Sequence, residues 1–202
     1  YAEIMKDGVA RPEDMPGFAR RIHEESTRLL ALIEDIIRLS RLDEGSGNLP
    51  FEPVDLYALA QDVAGRLAAA ARAQDIAVSV TGAPAIVRGV RQVLDEMLYN
   101  LCDNAIRYNN PGGSVAVSVA PEGANTIVTV ADTGIGIPRA HHERVFERFY
   151  RVDRSHSKAT GGTGLGLSIV KHGAMLHSAK ISLDSAPGRG TTIRVRFPSS
   201  AT

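Results

Sequence analysis

The stretch "GGTGLGLSIVKH", residues 161–172, sets four glycines into six positions and then runs on in a helical pattern. Two familiar phosphate-gripping arrangements are excluded at once. A P-loop requires a lysine after its last glycine, and none follows here. A Rossmann turn requires a third glycine where Ile169 stands and a strand directly before the loop, and the sequence supplies neither. What remains is backbone chemistry. Glycines at 162, 164 and 166 let the main chain approach an anion closely, and a helix opening near Gly164 turns unpaired N–H groups and the positive end of its dipole toward it. Alone, such a cluster is more often a tight loop-to-helix turn with no ligand, so its reading depends on what else the chain carries.

Two further stretches bear on it. "DTGIGIP" (132–138) follows an apolar, alternating run. Asp132 is a carboxylate at a strand end, able to accept from the exocyclic amine of adenine at about 1.5–3 kcal/mol for a charged hydrogen bond. Gly134 and Gly136 let a flat ligand slide past the backbone. The competing reading is a polar loop with an Asx-turn. In "DEMLYNLCDNAIRYNNPGG" (95–113), Asn100 and Asn104 stand four apart on a predicted helix and share one face, with Arg107 and Tyr108 nearby. Two amide oxygens suit a Mg²⁺ ion that takes its other ligands from phosphates and water, and Arg107 has the length to reach a phosphate oxygen. The plain alternative is a polar helix face, but asparagine is a mediocre helix former and a pair of them calls for a reason.

The bulk numbers leave room for such a site. The 202 residues are 44% hydrophobic, enough for a real core, and 23 basic residues balance 23 acidic ones, which gives no pull toward nucleic acid or an anionic membrane. The single cysteine, Cys102, excludes an internal disulfide framework and fits a reducing, cytoplasmic setting; its place in the asparagine helix reads as packing. No apolar run approaches the roughly 20 residues that cross a bilayer. The chain opens at Tyr1 in what reads as mid-helix, so the expectation is a cytoplasmic fragment whose parent is membrane-anchored through segments outside it.

Residues 1–8 read as the tail of a helix stopped by Gly8, and a long helix follows from Asp14, a candidate N-cap, to about Asp43, with Pro16 in its first turn. Phe18, Ile22, Leu29, Ile33 and Ile36 line up as one apolar stripe. A helical hairpin with such a face needs a partner; it lies either on the rest of the chain or against a second copy in a four-helix bundle, and the coiled-coil-like spacing favours the second. "EGSGNLP" (44–50) is a linker. Beyond it, "FEPV" reads as a short edge strand, Asp55 caps an alanine-rich helix, and "IAVSVTG", "AIVRG", "SVAVSVA", "TIVTVAD", "KISLDS" and "TTIRVRF" alternate as strands. Helices are expected over about 90–107, over 139–147 and after the glycine-rich stretch. The pattern predicts an α+β fold, a two-layer α/β sandwich with a mixed sheet covered on one face by helices, preceded by the dimerising hairpin. The expected division is 1–44 for the hairpin, 45–50 for the linker and 51–202 for the sandwich.

The three stretches, in this order, resemble the ATP-binding domain of sensor histidine kinases, within the superfamily that also holds gyrase, mismatch-repair and chaperone ATPases. Asn100 to Tyr108 looks like that family's asparagine box, and "DTGIGIP" and "GGTGLGL" like its two glycine boxes. "VFERFYRVDRS" is similar to its phenylalanine box and ATP lid, and "GRGTTIRVRFP" to its closing glycine motif, with Thr191 after Gly190. The resemblance implies ATP lying among the helices under a mobile lid. Asp132 would read adenine, with Gly134, Gly136, Ile137 and Thr191 around it, and Asn104 with Asn100 would hold Mg²⁺. Arg107, Tyr108, Gly162, Thr163, Gly164, Leu165, Gly166 and Leu167 would surround the triphosphate, and Tyr150, Arg151 and Lys158 would belong to the lid. It further implies a homodimer through the hairpin, and a response-regulator receiver domain as the next acceptor of the phosphoryl group. The superfamily's hydrolytic ATPases carry a glutamate where Asn100 falls; an amide cannot serve as general base, which favours phosphoryl transfer over hydrolysis.

The chain departs from the family at several points. None of its six histidines begins an H-E-x-K-T-P-like run; His23 has no proline after it and reads as a solvated or interface histidine, so the acceptor is expected outside this chain. His156 and Lys158 stand where the family often has arginine, which loses the bidentate fork. Gly173 stands where an aliphatic is expected, at about 1 kcal/mol of helix propensity. His141 and His142 are adjacent, point about 100° apart on a helix, and read as solvated. Two rival readings are an anti-sigma-factor-like serine kinase, against which the hairpin and "FERFYRVD" speak, and a module that only dimerises, against which the intact Asn104, Asp132 and glycines speak.

Overall fold

The computed structural model describes residues 1–43, 50–152 and 162–198. Helix α1 (Ala2–Lys6) ends before Gly8, whose φ of +70° is the left-handed conformation that glycine adopts without strain. Helix α2 (Met15–Asp43) carries Pro16 in its first turn, where a missing N–H breaks no hydrogen bond. Of the apolar stripe, Phe18 and Ile22 are half-buried, Phe18 against the ring of Tyr1. Leu29, Ile33 and Ile36 are exposed, together with Leu30 and Ile37. Leu32 packs instead on Leu165 and Ile169. Residues 44–49 of the expected linker lie outside the described residues.

The remainder is an α+β sandwich. Strands β2 (Ala77–Gly82), β4 (Ser114–Glu122), β5 (Asn125–Asp132), β7 (Thr191–Phe197) and β6 (Lys180–Ser185) lie side by side in that order. The β2–β4 pair is parallel and the other pairs antiparallel, so the sheet is mixed. Alternation sets the faces: Val115, Val117, Val119, Val128, Val130, Ile193 and Val195 are buried, whereas Ala116, Arg194 and Arg196 between them are exposed. Helices α3 (Leu56–Ala73), α4 (Arg91–Arg107) and α5 (Gly166–Leu176) supply the other layer. Leu59, Val63, Leu94, Met97, Ile106 and Val170 complete one continuous core, in which Cys102 is packed as expected. Each such side chain contributes about 1.5–3 kcal/mol on burial.

Local signals explain the element boundaries. Asp55 caps α3, its Oδ1 accepting from the N–H groups of Tyr57 (3.0 Å) and Ala58 (3.5 Å). The same oxygen accepts from Ala85 N–H at 3.0 Å, which ties the start of α3 to the strand that follows. "FEPV" does not join the main sheet: β1 (Glu52–Asp55) pairs with β3 (Ile86–Gly89) in a separate antiparallel ribbon. Val54 and Val87, opposite one another in that ribbon, are both buried, so the pair seals the core from the side. The helix expected over 139–147 is replaced by two single 3₁₀ turns, Arg139–His141 and Arg144–Phe146. Val145 is the one buried residue of those turns, and a lone apolar anchor does not sustain the stripe a longer helix needs.

One buried joint holds α4 and α5 together at their far ends. His177 Nε2 accepts from Val90 N–H at 3.0 Å, and its Nδ1–H donates to the Gly173 carbonyl at 2.7 Å. An N–H on one side and a carbonyl on the other fix the neutral tautomer. Burial between Phe51 and Phe197 pushes the imidazole below its usual range, against the Gly173 carbonyl, which pulls it up.

Candidate functional site

Helix α5 opens the site. It begins at Gly166, its N-cap is Leu165, and no side chain caps it, so the first N–H groups have no side-chain acceptor at the cap. Gly164 just before it has φ +78°, and its carbonyl accepts from Phe149 N–H at 3.0 Å. Leu165 is fully buried and anchors the turn, while Leu167 is half-buried against the main core. Leu165 N–H donates to Thr163 Oγ1 at 3.3 Å.

The asparagine face of α4 lies against this opening. Asn100 Nδ2 donates back to the Glu96 carbonyl at 2.8 Å, which leaves Oδ1 aimed at α5. A Cβ on Gly166 would stand 2.7 Å from that oxygen and 3.4 Å from Asn104 Nδ2, so any side chain at this position must push the Asn100 amide aside. The helices approach as closely further along: a Cβ on Gly173 would fall 2.4 Å from Met97 Sδ. That accounts for the glycine found where an aliphatic was expected, because the thioether of Met97 fills the notch. Arg107 is turned along its own helix, donating to Asp103 at 2.8 Å. Tyr108 ends α4; its carbonyl accepts from Ile135 N–H at 3.0 Å, and its hydroxyl lies beside Gly162.

Asp132 closes the other side. Its Oδ1 accepts from Gly134 N–H (2.8 Å) and Thr191 N–H (3.1 Å), while Oδ2 has no partner among the described residues. The Asx-turn weighed in the sequence is therefore present, and it occupies one carboxylate oxygen only. Burial raises this carboxyl above its ordinary range; the two N–H groups pull in the opposite direction. Gly136 runs against the Ala186 backbone, and Ile137 N–H donates to Ser185 Oγ at 2.8 Å. Ser185 in turn hydrogen-bonds the Gly190 carbonyl and the Thr191 hydroxyl, both at 2.9 Å. Asn100, Asn104, Tyr108, Gly162, Gly164 and Gly166 thus meet at the α4–α5 crossing. Asp132, Gly134, Gly136, Ile137 and Thr191 meet at the end of β5. Tyr150 adjoins Gly164 through its carbonyl, and Arg151 lies near Gly162. Lys158 and His156 lie outside the described residues.

Residues 89–201 match the family model described as histidine kinase-, DNA gyrase B- and HSP90-like ATPase. The chain belongs to this family. It is 40% identical over 200 residues to the sensor-like histidine kinase SenX3 of Mycolicibacterium smegmatis, a match covering 98% of this chain and 52% of that protein. The chain thus spans about half the length of the curated relatives it matches. The mycobacterial sensor histidine kinase MprB has the same fold, with a TM-score of 0.64 at 32% identity over 73% of this chain and 97% of that one. The full-length ShkA structure, in complex with AMPPNP, gives a TM-score of 0.75 at 25% identity over 93% of this chain and 40% of that one. The matched region is an ATP-binding catalytic domain of the histidine-kinase type.

Several residues of this histidine-kinase domain escaped the sequence reading. Ser185 ends a strand whose alternation places it inward with Ile181 and Leu183, and an inward-facing serine was the available signal. His141 and His142, read as solvated, are half-buried and bonded: His141 Nδ1 to the Tyr150 hydroxyl at 2.5 Å, and His142 Nε2–H to the Ile137 carbonyl at 2.9 Å. The 3₁₀ turn, in place of a helix, lets neighbouring side chains reach opposite partners.

Proposed function

We propose that this chain is the ATP-binding part of a sensor histidine kinase, with residues 51–202 as the nucleotide-binding unit and 1–44 as part of its dimerisation hairpin. It binds ATP with Mg²⁺ and presents the γ-phosphoryl group to a histidine outside this chain, from which it passes to the aspartate of a response-regulator receiver domain. The observation that carries this reading is the amide oxygen of Asn100 set against the uncapped start of α5. Orphan N–H groups attract phosphate, and a neutral oxygen beside them fits a cation that shares its ligands with phosphate.

The Asn100 oxygen at the opening fits Mg²⁺, a hard cation that takes oxygen ligands and keeps waters and phosphate oxygens for its remaining positions. Asn100 and Asn104 would hold it, and when bound it would neutralise charge on the triphosphate. The chain's own groups do the rest. The free oxygen of Asp132 accepts from the adenine amine. Gly162 to Leu167 cradle the phosphates with backbone N–H groups, and the side chains of Tyr108 and Arg151 border them, with Arg107 close by and Tyr150 backing the glycine stretch through its carbonyl. Because the nucleophile is the acceptor imidazole, this unit needs only to supply position and charge stabilisation. The exposed Leu29, Ile33 and Ile36 of α2 are the seam of a homodimer, within a parent held at the membrane by segments outside this chain and exposing this part to the cytoplasm.

The test is a calorimetric titration with ATP, with and without Mg²⁺, beside Asp132→Asn. Saturable binding that strengthens with Mg²⁺ and weakens in the variant is the expected result. A folded protein that shows no binding at millimolar ATP would sink the reading and leave a module that only dimerises.

A further inference from the structure

Between the first glycine-bearing stretch and the second, the chain passes through the two 3₁₀ turns and then bends sharply at Phe149. That residue has φ +61°, a left-handed conformation that a bulky side chain rarely adopts. The bend is the wall on which the second stretch rests: Phe149 N–H donates to the Gly164 carbonyl at 3.0 Å. A Cβ on Gly164 would lie 3.0 Å from the Phe149 carbonyl carbon and 3.2 Å from the Tyr150 carbonyl oxygen. Strained residues persist only where their surroundings over-determine them. The ring of Phe149 is 57% exposed and cannot anchor the bend.

The anchor is the next residue. Tyr150 is half-buried, its hydroxyl bonded to His141 Nδ1 at 2.5 Å and its ring 4.3 Å from the guanidinium carbon of Arg144. His142, one residue on, fastens the same turn to the Ile137 carbonyl. A continuous set of contacts therefore runs from Ile137 through the histidine pair to Tyr150, and from the bend to Gly164.

We infer that His141 is a positioning residue for the nucleotide: by holding the Tyr150 hydroxyl it fixes the strained Phe149 bend, and through the bend the glycine backbone that faces the phosphates. The inference rests on the reading of residues 162–167 as a phosphate-binding stretch. It goes beyond that reading in giving a role to a side chain that touches no ligand. A backbone cradle binds tightly only when its N–H groups are already in place, so loosening the bend lowers affinity without removing a contact to ATP.

The experiment is an ATP titration of the 202-residue chain and of His141→Ala, His141→Asn, Tyr150→Phe and the double variant His141→Ala/Tyr150→Phe, each with a urea unfolding midpoint. Loss of one hydrogen bond predicts an affinity about fivefold weaker in His141→Ala and in Tyr150→Phe. The double variant is no weaker than either single one, because both changes break the same bond. His141→Asn, whose side-chain amide occupies the place of Nδ1, recovers most of the loss, and the midpoints stay together. Multiplicative losses in the double variant overturn the inference, as does an asparagine variant as weak as the alanine one, or a loss that follows the unfolding midpoint. Wild-type protein that binds no ATP overturns the proposed function itself, and this inference with it, so the two failures are told apart by the first titration.

Discussion

The side-chain oxygen of Asn100 points at Gly166 from a distance that leaves no room for a methyl group: a Cβ there would stand 2.7 Å away. The first residue of α5 is therefore matched to the metal-binding candidate on α4. Gly166→Ala brings about 1 kcal/mol of helix propensity and displaces the amide. The expected outcome is an unfolding midpoint close to wild type with ATP affinity at least tenfold weaker, read by denaturant melts and calorimetry on the same sample. Unchanged affinity would separate Asn100 from nucleotide binding.

Asp132 makes an opposed pair of predictions about pH. Its carboxyl is raised by burial, so the folded state holds the proton more readily than the unfolded state. The favourable contribution to stability is full below the unfolded value, near 3.9, and is lost as pH rises through the raised folded value. The adenine recognition proposed for Asp132 uses the ionised form and runs the other way, weakening as pH falls through that same value. Asp132→Asn is thus expected to be at least as stable as wild type at pH 7, with the difference shrinking toward acid, while its ATP affinity is lower by tenfold or more. Melting curves and titrations at pH 7 and pH 4.5 check both signs.

Gly173 and Met97 form a size-matched pair, with the missing Cβ 2.4 Å from the sulfur. Gly173→Ala overpacks the crossing, at about 1–3 kcal/mol, and the helix propensity it gains offsets about 1 of that. In a Met97→Ala background the sulfur is gone and Val93 Cγ1, 3.1 Å from the added carbon, is the neighbour that must yield; the same change is then expected to stabilise. A double-mutant cycle by urea unfolding measures the reversal of sign, and additivity would show that the two side chains do not share the space.

The exposed stripe of α2 predicts self-association. Leu29 is 57% exposed and Ile33 52%, on a helix whose Leu32 is already covered. Ile33→Glu is expected to turn a dimer into a monomer in analytical ultracentrifugation and to leave ATP affinity within about twofold, since the residue lies outside the nucleotide site. A wild-type chain that is monomeric at high micromolar concentration would remove the hairpin from the dimer interface.

Much of this was readable in advance because it depends on local chemistry. The cap at Asp55, the stop at Gly8, the α4 helix and the alternating strands all follow from short-range preferences. The spacing of Asn100 and Asn104 put them on one face, and the glycines marked where backbones approach. What could not be read depends on contacts far along the chain. Four-residue strands such as β1 choose partners by burial, and Val54 found Val87 in a ribbon of its own. Ser185 holds Ile137 across 48 positions. His141 found Tyr150 only because a helix expected over 139–147 gave way to two turns, and an adjacent histidine pair on a helix would have faced solvent as read.

His177 supplies the last prediction, through the joint it makes between the two helices of the site. Its imidazole is neutral in the fold, accepting from Val90 N–H and donating to the Gly173 carbonyl, and burial holds it below its usual range. A depressed folded value means that its contribution is full above the unfolded value, near 6.5, and is lost as pH falls through the folded one. Protonation would remove the only acceptor on the ring and leave the Val90 N–H buried without a partner. Urea midpoints of wild type are therefore expected to fall between pH 7.5 and pH 5.5 more steeply than those of His177→Phe, which has no proton to gain. At pH 7.5 the variant is less stable by about 1–3 kcal/mol, the cost of one orphaned buried N–H. Since Val90 precedes α4 and Gly173 lies within α5, the same acid range is expected to weaken ATP binding in wild type beyond what Asp132 alone accounts for. Parallel slopes in wild type and His177→Phe would show that the joint does not titrate in this range.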